Sequence, residues 1–264
     1  MESEGRKRMN TFYLLDRDPR YLILGEMLEE EGNRVLFYPE EIPPEPLFYL
    51  FPLGLGEEAV QNVLSTAKEG SFALVGKTTP ALHLFAKEKK ITLRGALEDE
   101  IYLFQNAKAT AEGVLKNVIE TMDRTLDELT LLVYGFGNCG SAIARLLWLA
   151  GCEIFVCSRE RGNKAAEKEG FNIYSAENLG LGMFDGVINT VPTPIFSDSL
   201  LFTMAEGSHF FQVATGLSGI DPEKLESRKI HFHPLPRLPG LYAPRSEALG
   251  LYDLITRSFE NPKE

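Results

Sequence analysis

The chain has 264 residues, 44% of them hydrophobic and 25% charged, and a formal net charge of −11. That length and apolar share allow a sizeable core and suit two domains better than one. The acidic balance argues against a nucleic-acid or anionic-membrane partner, because no field of Lys and Arg is available to displace counterions.

Residues 1–9 form a charged, polar tail rather than a signal peptide, and the apolar run 146–157 is broken by Gly151 and Glu153, so no segment is predicted to enter a membrane. Over 10–109 the pattern predicts one α/β domain. Strands are expected over 12–15, 35–38, 47–51 and 72–75, helices over 21–30, 57–68 and 81–89, and a loop over the proline-rich 39–46. Ala111, Val114, Leu115, Val118, Ile119 and Met122 then recur at helical spacing, so 110–126 reads as a long connecting helix. A second α/β series fills 127–243, with strands over 131–134, 154–157, 186–189, 210–214 and 230–232 and a helix running to 150. A final helix over 244–264 returns to the first domain. The predicted fold is α/β, with two doubly wound, Rossmann-like parallel sheets.

Leu131-Leu132-Val133-Tyr134 leads directly into Gly135-Phe136-Gly137-Asn138-Cys139-Gly140, which opens the helix carrying Ile143, Leu146, Leu147 and Ala150. In that context G-x-G-x-x-G predicts a dinucleotide turn. Gly135 permits the tight bend, Gly137 the approach of a pyrophosphate, and Gly140 close packing of helix on strand, with Asn138 and Cys139 in the first helical turn. The tip of the next strand is Ser158-Arg159, where NAD sites usually carry a carboxylate. A guanidinium there favours NADP, with Arg161 in reserve and NAD as the alternative. Arg159 could equally be a solvated charge, and Glu160 could still serve a ribose. Thr190, Val191, Pro192 and Ala214 fall at carboxyl ends of strands and are candidates to line the nicotinamide half. Cys139, Cys152 and Cys157 have neither metal spacing nor an even count, which predicts reduced thiols, a cytoplasmic location and no metal site.

The segments NAKATAEG (106–113), VYGFGNCGSAIAR, CSR, DGVINTVP and RLPGLYAPRSEA, in this order, resemble the family formed by the A subunit of dipicolinate synthase. Asp18 and Arg20 also resemble that family's first turn. The chain departs from it at Ala109, Arg245, Ser246, Asp16-Arg17 and the enlarged stretch Leu235-Pro236-Arg237, and is shorter in its first half. The resemblance implies oxidation of a dihydrodipicolinate-type ring to the aromatic dicarboxylate with NADP, beside a flavoprotein-like second subunit; it leaves self-association open. A small dicarboxylate substrate needs anchors in an acidic protein. Thr110 and Glu112, expected at the start of the connecting helix, could receive a carboxylate and a proton, or be only a cap and a dipole partner. Arg245 with Ser246, at the start of the final helix, is the other candidate anchor, and Arg237 an alternative. A 2-hydroxy-acid or shikimate-type dehydrogenase is one rival reading. The hydroxy-acid type would want a histidine base late in the Rossmann domain, and 234–246 contains none. A non-catalytic dinucleotide-binding subunit is the other.

Overall fold

A computed structural model describes residues 9–38, 41–175, 179–216 and 218–260. Residues 1–8 of the expected polar tail, Pro39 and Glu40 of the expected loop, and the last four residues of the expected final helix lie outside that range. In chain order the elements are β1 (Thr11–Leu14), α1 (Pro19–Glu30), β2 (Arg34–Phe37), β3 (Phe48–Leu50), α2 (Glu57–Leu64), β4 (Phe72–Val75), α3 (Pro80–Glu88), β5 (Thr92–Gly95) and α4 (Glu100–Thr121). There follow β6 (Thr130–Tyr134), α5 (Asn138–Leu149), β7 (Glu153–Cys157), α6 (Glu160–Lys168), β8 (Asn172–Ile173), β9 (Gly186–Asn189) and α7 (Asp198–Leu201). The chain continues through β10 (His209–Gln212), α8 (Pro222–Ser227), β11 (His231–Pro234), α9 (Leu238–Tyr242) and α10 (Pro244–Glu260).

The fold is α/β, with two doubly wound parallel sheets. The first has the strand order β2-β1-β3-β4-β5 and the second β11-β10-β9-β6-β7-β8. Both are layouts that place ligands at the carboxyl ends of the strands, where the order reverses. The chain divides into two compact units, residues 1–105 with 243–264, and residues 106–242.

In the first unit, Asp18 accepts the N–H of Arg20 and Pro19 takes the first helical position, so α1 starts at Pro19 rather than at 21. One face of this sheet buries Phe12, Leu14 and Leu50 against Tyr21, Leu24 and Leu28 of α1 and Ala248, Leu251, Leu254 and Ile255 of α10. The final helix thus closes the first unit's core. The other face buries Tyr13, Tyr49, Ala73 and Val75 against α2 and α3. Successive side chains leave a strand on opposite faces, and both faces are covered, so these strands read as continuous apolar runs.

In the second unit, Leu131 and Val133 face a core completed by Ala111, Val114 and Val118 of α4 and Ile143, Ala144 and Leu147 of α5. Leu132, Val187 and Phe210 face the opposite core. The connecting helix begins at Glu100, not at 110, because Asp99 accepts the N–H of Tyr102 and so caps an earlier start. The stretch 238–242 is the short helix α9, entered through Arg237 in the left-handed region at φ 54°. Strands β5 and β8 and helix α6 have no counterpart in the sequence pattern.

Candidate functional site

The sharp bend after β6 is set by Gly135, whose φ of 97° favours glycine and whose N–H donates to the Cys157 carbonyl at 2.8 Å. A Cβ on Gly135 would lie 2.4 Å from Thr190 Oγ1, and one on Gly140 would lie 2.1 Å from the Gly135 carbonyl oxygen. Those two glycines are therefore required by packing. Gly137 differs: a Cβ there would meet nothing within 4 Å. It caps α5 and lies exposed beside exposed Asn138 and half-buried Cys139. Open space over a helix N-terminus, with the backbone bare, fits a pyrophosphate.

The turn after β7 carries Ser158 and Arg159. The Ser158 N–H donates to Asn163 Oδ1 at 2.8 Å, so a residue of α6 reaches back to hold the turn. Arg159 occupies the N-cap of α6, its carbonyl accepting the Asn163 N–H at 3.0 Å and its exposed side chain making no ion pair or hydrogen bond among the described residues. Glu160, the one carboxylate adjoining this tip, is bonded to Lys164 Nζ at 2.6 Å.

Thr190 is tied to the end of β6, its N–H and its hydroxyl both donating to the Tyr134 carbonyl at 3.0 and 2.9 Å. Behind it, fully buried Asn189 donates through Nδ2 to Gln212 Oε1 at 2.9 Å and accepts the Val191 N–H at 2.9 Å. Gln212 Nε2 donates to the Ala214 and Gly216 carbonyls, and the Ser218 hydroxyl donates to the Val191 carbonyl. One buried network thus locks the Thr190-Val191-Pro192 loop to the loop that starts at Ala214. Sequence reasoning misses Gln212 and Ser218. A polar residue closing the buried run Phe210-Phe211-Gln212 is the available signal.

The expected anchors fare differently. Thr110 lies within α4, not at a helix start; it is buried and its hydroxyl donates to the Asn106 carbonyl at 2.8 Å, one turn back in its own helix. It therefore has no helix N-terminal amides beside it. Glu112 is exposed on the same helix. Arg245 and Ser246 are exposed in the first turn of α10, behind Pro244. Thr110 and Glu112 belong to the second unit, Arg245 and Ser246 to the first.

A further cluster, in the first unit, joins Asp18 and Arg20 of the first turn to Tyr102 and Glu247, two residues that the sequence pattern does not signal. Arg20, 6% exposed, grips Asp18 through Nε and NH2 at 2.9 and 2.7 Å and lies 3.8 Å from Glu247, whose carboxylate accepts the Tyr102 hydroxyl at 2.8 Å. Burial, then the neighbouring Glu247 charge, drives the Tyr102 hydroxyl well above its ordinary pKa. Those groups tie the first turn of α10 to the start of α1.

The histidines of the second unit gather at the amino edge of its sheet, away from the glycine turn. His209 and His231 open their strands, and His209 Nδ1 lies 2.9 Å from His233 Nε2. Burial, with the neighbouring His233 and His231, pushes His209 down to about 4. Among the described residues no group of three His, Cys, Asp or Glu is arranged to hold a metal ion. All three cysteines are free thiols, and burial raises Cys152 to about 11. No helix among the described residues is long and apolar enough to cross a membrane.

No protein-family model matches the chain. It is similar to the A subunit of dipicolinate synthase from Bacillus subtilis (strain 168), 25% identical over 178 residues, which are 66% of this chain and 60% of that protein. The match thus spans less than two thirds of that relative's length. The crystal structure of the A subunit of dipicolinate synthase from Bacillus halodurans superimposes with a TM-score of 0.79 at 20% identity, covering 94% of this chain and 97% of that one. A D-lactate dehydrogenase from Sporolactobacillus sp. gives a TM-score of 0.62 at 14% identity, covering 97% and 96%. An NAD-dependent formate dehydrogenase from Staphylococcus aureus gives 0.58 at 15%, covering 95% and 96%. At these identities the solved structures establish a shared fold.

Proposed function

We propose that the chain is an NADP-linked oxidoreductase subunit that oxidises a dihydrodipicolinate-type ring to the aromatic dicarboxylate, in the cytoplasm, beside a flavoprotein-like second subunit. The observation that carries the reading is the glycine turn, where two glycines are demanded by packing and the third, Gly137, leaves its approach open. Residues proposed to hold the dinucleotide are Gly135, Gly137, Asn138, Cys139 and Gly140 at the phosphates, Ser158 and Arg159 at a 2′-phosphate, and Thr190, Val191, Pro192 and Ala214 at the nicotinamide. NADP rather than NAD is supported by the Arg159 guanidinium, without a partner among the described residues, and by Glu160 turned into a pair with Lys164. Bound there, the nicotinamide supplies the hydride acceptor.

This chain's own part is positioning and one proton. Arg245, with Ser246, receives a substrate carboxylate through a charge-assisted contact. Glu112 takes the proton that leaves the ring on aromatisation. Within the second unit, the carboxyl-edge loops 135–139, 190–194, 214–219 and 235–237 hold no Asp, Glu, His or Lys, so none of these four loops supplies a base in place of Glu112. The same fact weighs against a hydroxy-acid dehydrogenase, which needs a histidine base there. It keeps a second reading in play, a dinucleotide-binding subunit whose partner performs the chemistry.

The test is dihydrodipicolinate oxidation with NADP, by the chain alone and with the second subunit. Turnover by the chain alone is expected, with Arg245→Ala raising KM and leaving the NADPH dissociation constant unchanged. Turnover in neither tube overturns the enzyme reading, and turnover only with the second subunit favours the binding-subunit reading.

A further inference from the structure

The β7–α6 turn gathers a set of hydrogen-bond donors that have no acceptors among the described residues. The Ser158 hydroxyl, Asn163 Nδ2 and the Arg159 guanidinium make no hydrogen bond among the described residues; Ser158 and Arg159 form the turn, and Asn163 reaches back to it from α6. Asn163 is fixed in orientation, because its Oδ1 is committed to the Ser158 N–H at 2.8 Å. With the oxygen tethered, the amide nitrogen is the end left to a ligand. Gly162 makes the arrangement sterically possible. A Cβ there would lie 2.3 Å from Ser158 Oγ and 2.9 Å from Ser158 Cβ, and 3.4 Å from Cβ of Phe136, a residue of the glycine turn. The serine can therefore stand against α6, beside the glycine turn, only because residue 162 has no side chain.

We propose that Gly162 and Asn163 determine cofactor choice in this chain: Gly162 makes room for Ser158, and Asn163 is a positioning residue that pins the turn and offers Nδ2, so that three donors form a socket for a ribose 2′-phosphate before the cofactor arrives. The proposal rests on the NADP reading. A socket built in advance avoids ordering the turn on binding, and three donors around a phosphate dianion give selectivity that one flexible arginine does not. Arg159 contributes charge, and Asn163 contributes geometry.

Titration of NADPH, NADH and adenosine 2′,5′-bisphosphate by calorimetry, on the unaltered chain and on Asn163→Ala, Gly162→Ala and Arg159→Ala, tests this without any turnover. Asn163→Ala is expected to weaken NADPH and the bisphosphate about tenfold while NADH is unchanged, as for loss of contacts to a charged group. Gly162→Ala, which forces Ser158 aside, is expected to act in the same direction. An Asn163→Asp variant keeps the acceptor for the Ser158 N–H but sets a carboxylate beside the phosphate, so it should lose NADPH preference with NADH binding retained. Equal weakening of NADPH and NADH by Asn163→Ala would make the residue merely structural and overturn the proposal. If Arg159→Ala removes a NADPH preference that Asn163→Ala and Gly162→Ala leave intact, the socket fails while the NADP reading stands. Equal affinity of the unaltered chain for NADPH and NADH sinks both.

Discussion

At the scale of single residues, the three glycines of one motif carry unequal burdens. Gly140 lets α5 lie against the Gly135 carbonyl, where a Cβ would sit at 2.1 Å, and backbone cannot swing aside as a flexible side chain can. Gly140→Ala is therefore expected to destabilise the second unit by roughly 1 to 3 kcal/mol or more, the range of an overpacked core. Gly137 faces open space. Gly137→Val should unfold at nearly the temperature of the unaltered chain and yet bind no NADPH, since its side chain fills the space a pyrophosphate needs. Thermal denaturation followed by circular dichroism, with calorimetric titration, separates the two. A Gly137→Val protein that still binds NADPH would make the turn purely structural. The spacing of the glycines is legible in the sequence; which of them leaves room for a ligand is not, because that depends on Thr190 arriving from elsewhere in the chain and on how the turn sets the Gly135 carbonyl against Gly140.

Among elements, β6 and α5 are readable because strand, turn and helix are contiguous and each follows a local rule. Helix α6 is not, since its buried contribution is small: Ala166 is its one buried residue, and the apolar stripe on which a periodicity argument relies is missing. The start of α4 escapes the pattern for a related reason. Its cap, Asp99, precedes a stretch whose apolar period becomes regular only from Ala111, so the pattern lends Thr110 a helix-terminal chemistry that it does not have. Edge strand β11 carries a pH consequence that no local pattern suggests. His209 and His233, hydrogen-bonded to each other, are both depressed, chiefly by burial, His209 to about 4. The unfolded chain protonates near 6.5, before the folded one, so the penalty is absent above pH 6.5, grows as pH falls below it, and is complete near pH 4. Asp123 and Asp185 oppose the depression of His209 only in part. The unfolding temperature is expected to drop between pH 7 and pH 5, and His209→Phe should flatten that dependence. An identical pH profile in the variant would assign the loss to other groups.

The whole chain is built from one continuous and one discontinuous unit. Residues 106–242 contain a complete six-stranded sheet, two apolar clusters covering its faces and every residue proposed to hold the dinucleotide. The first unit, by contrast, is unfinished until the last helix is made. Ala248, Leu251, Leu254 and Ile255 of α10 fill the same core as Phe12, Leu14 and Leu24. Two consequences follow from burial alone, because a domain whose cores are covered by its own residues can fold by itself, whereas one missing a core helix exposes the apolar face beneath it. The segment 106–242 expressed alone is expected to unfold cooperatively and to bind NADPH with nearly the affinity of the full chain. A chain ending at Tyr242 should keep that binding but show only one cooperative transition, the first unit having lost a wall of its core. Differential scanning calorimetry with NADPH present resolves the two, since a ligand raises the unfolding temperature only of the unit that binds it. If the isolated segment fails to fold, or folds without binding NADPH, then dinucleotide recognition draws on residues of the first unit, and the assignment of the cofactor to the second unit alone is wrong.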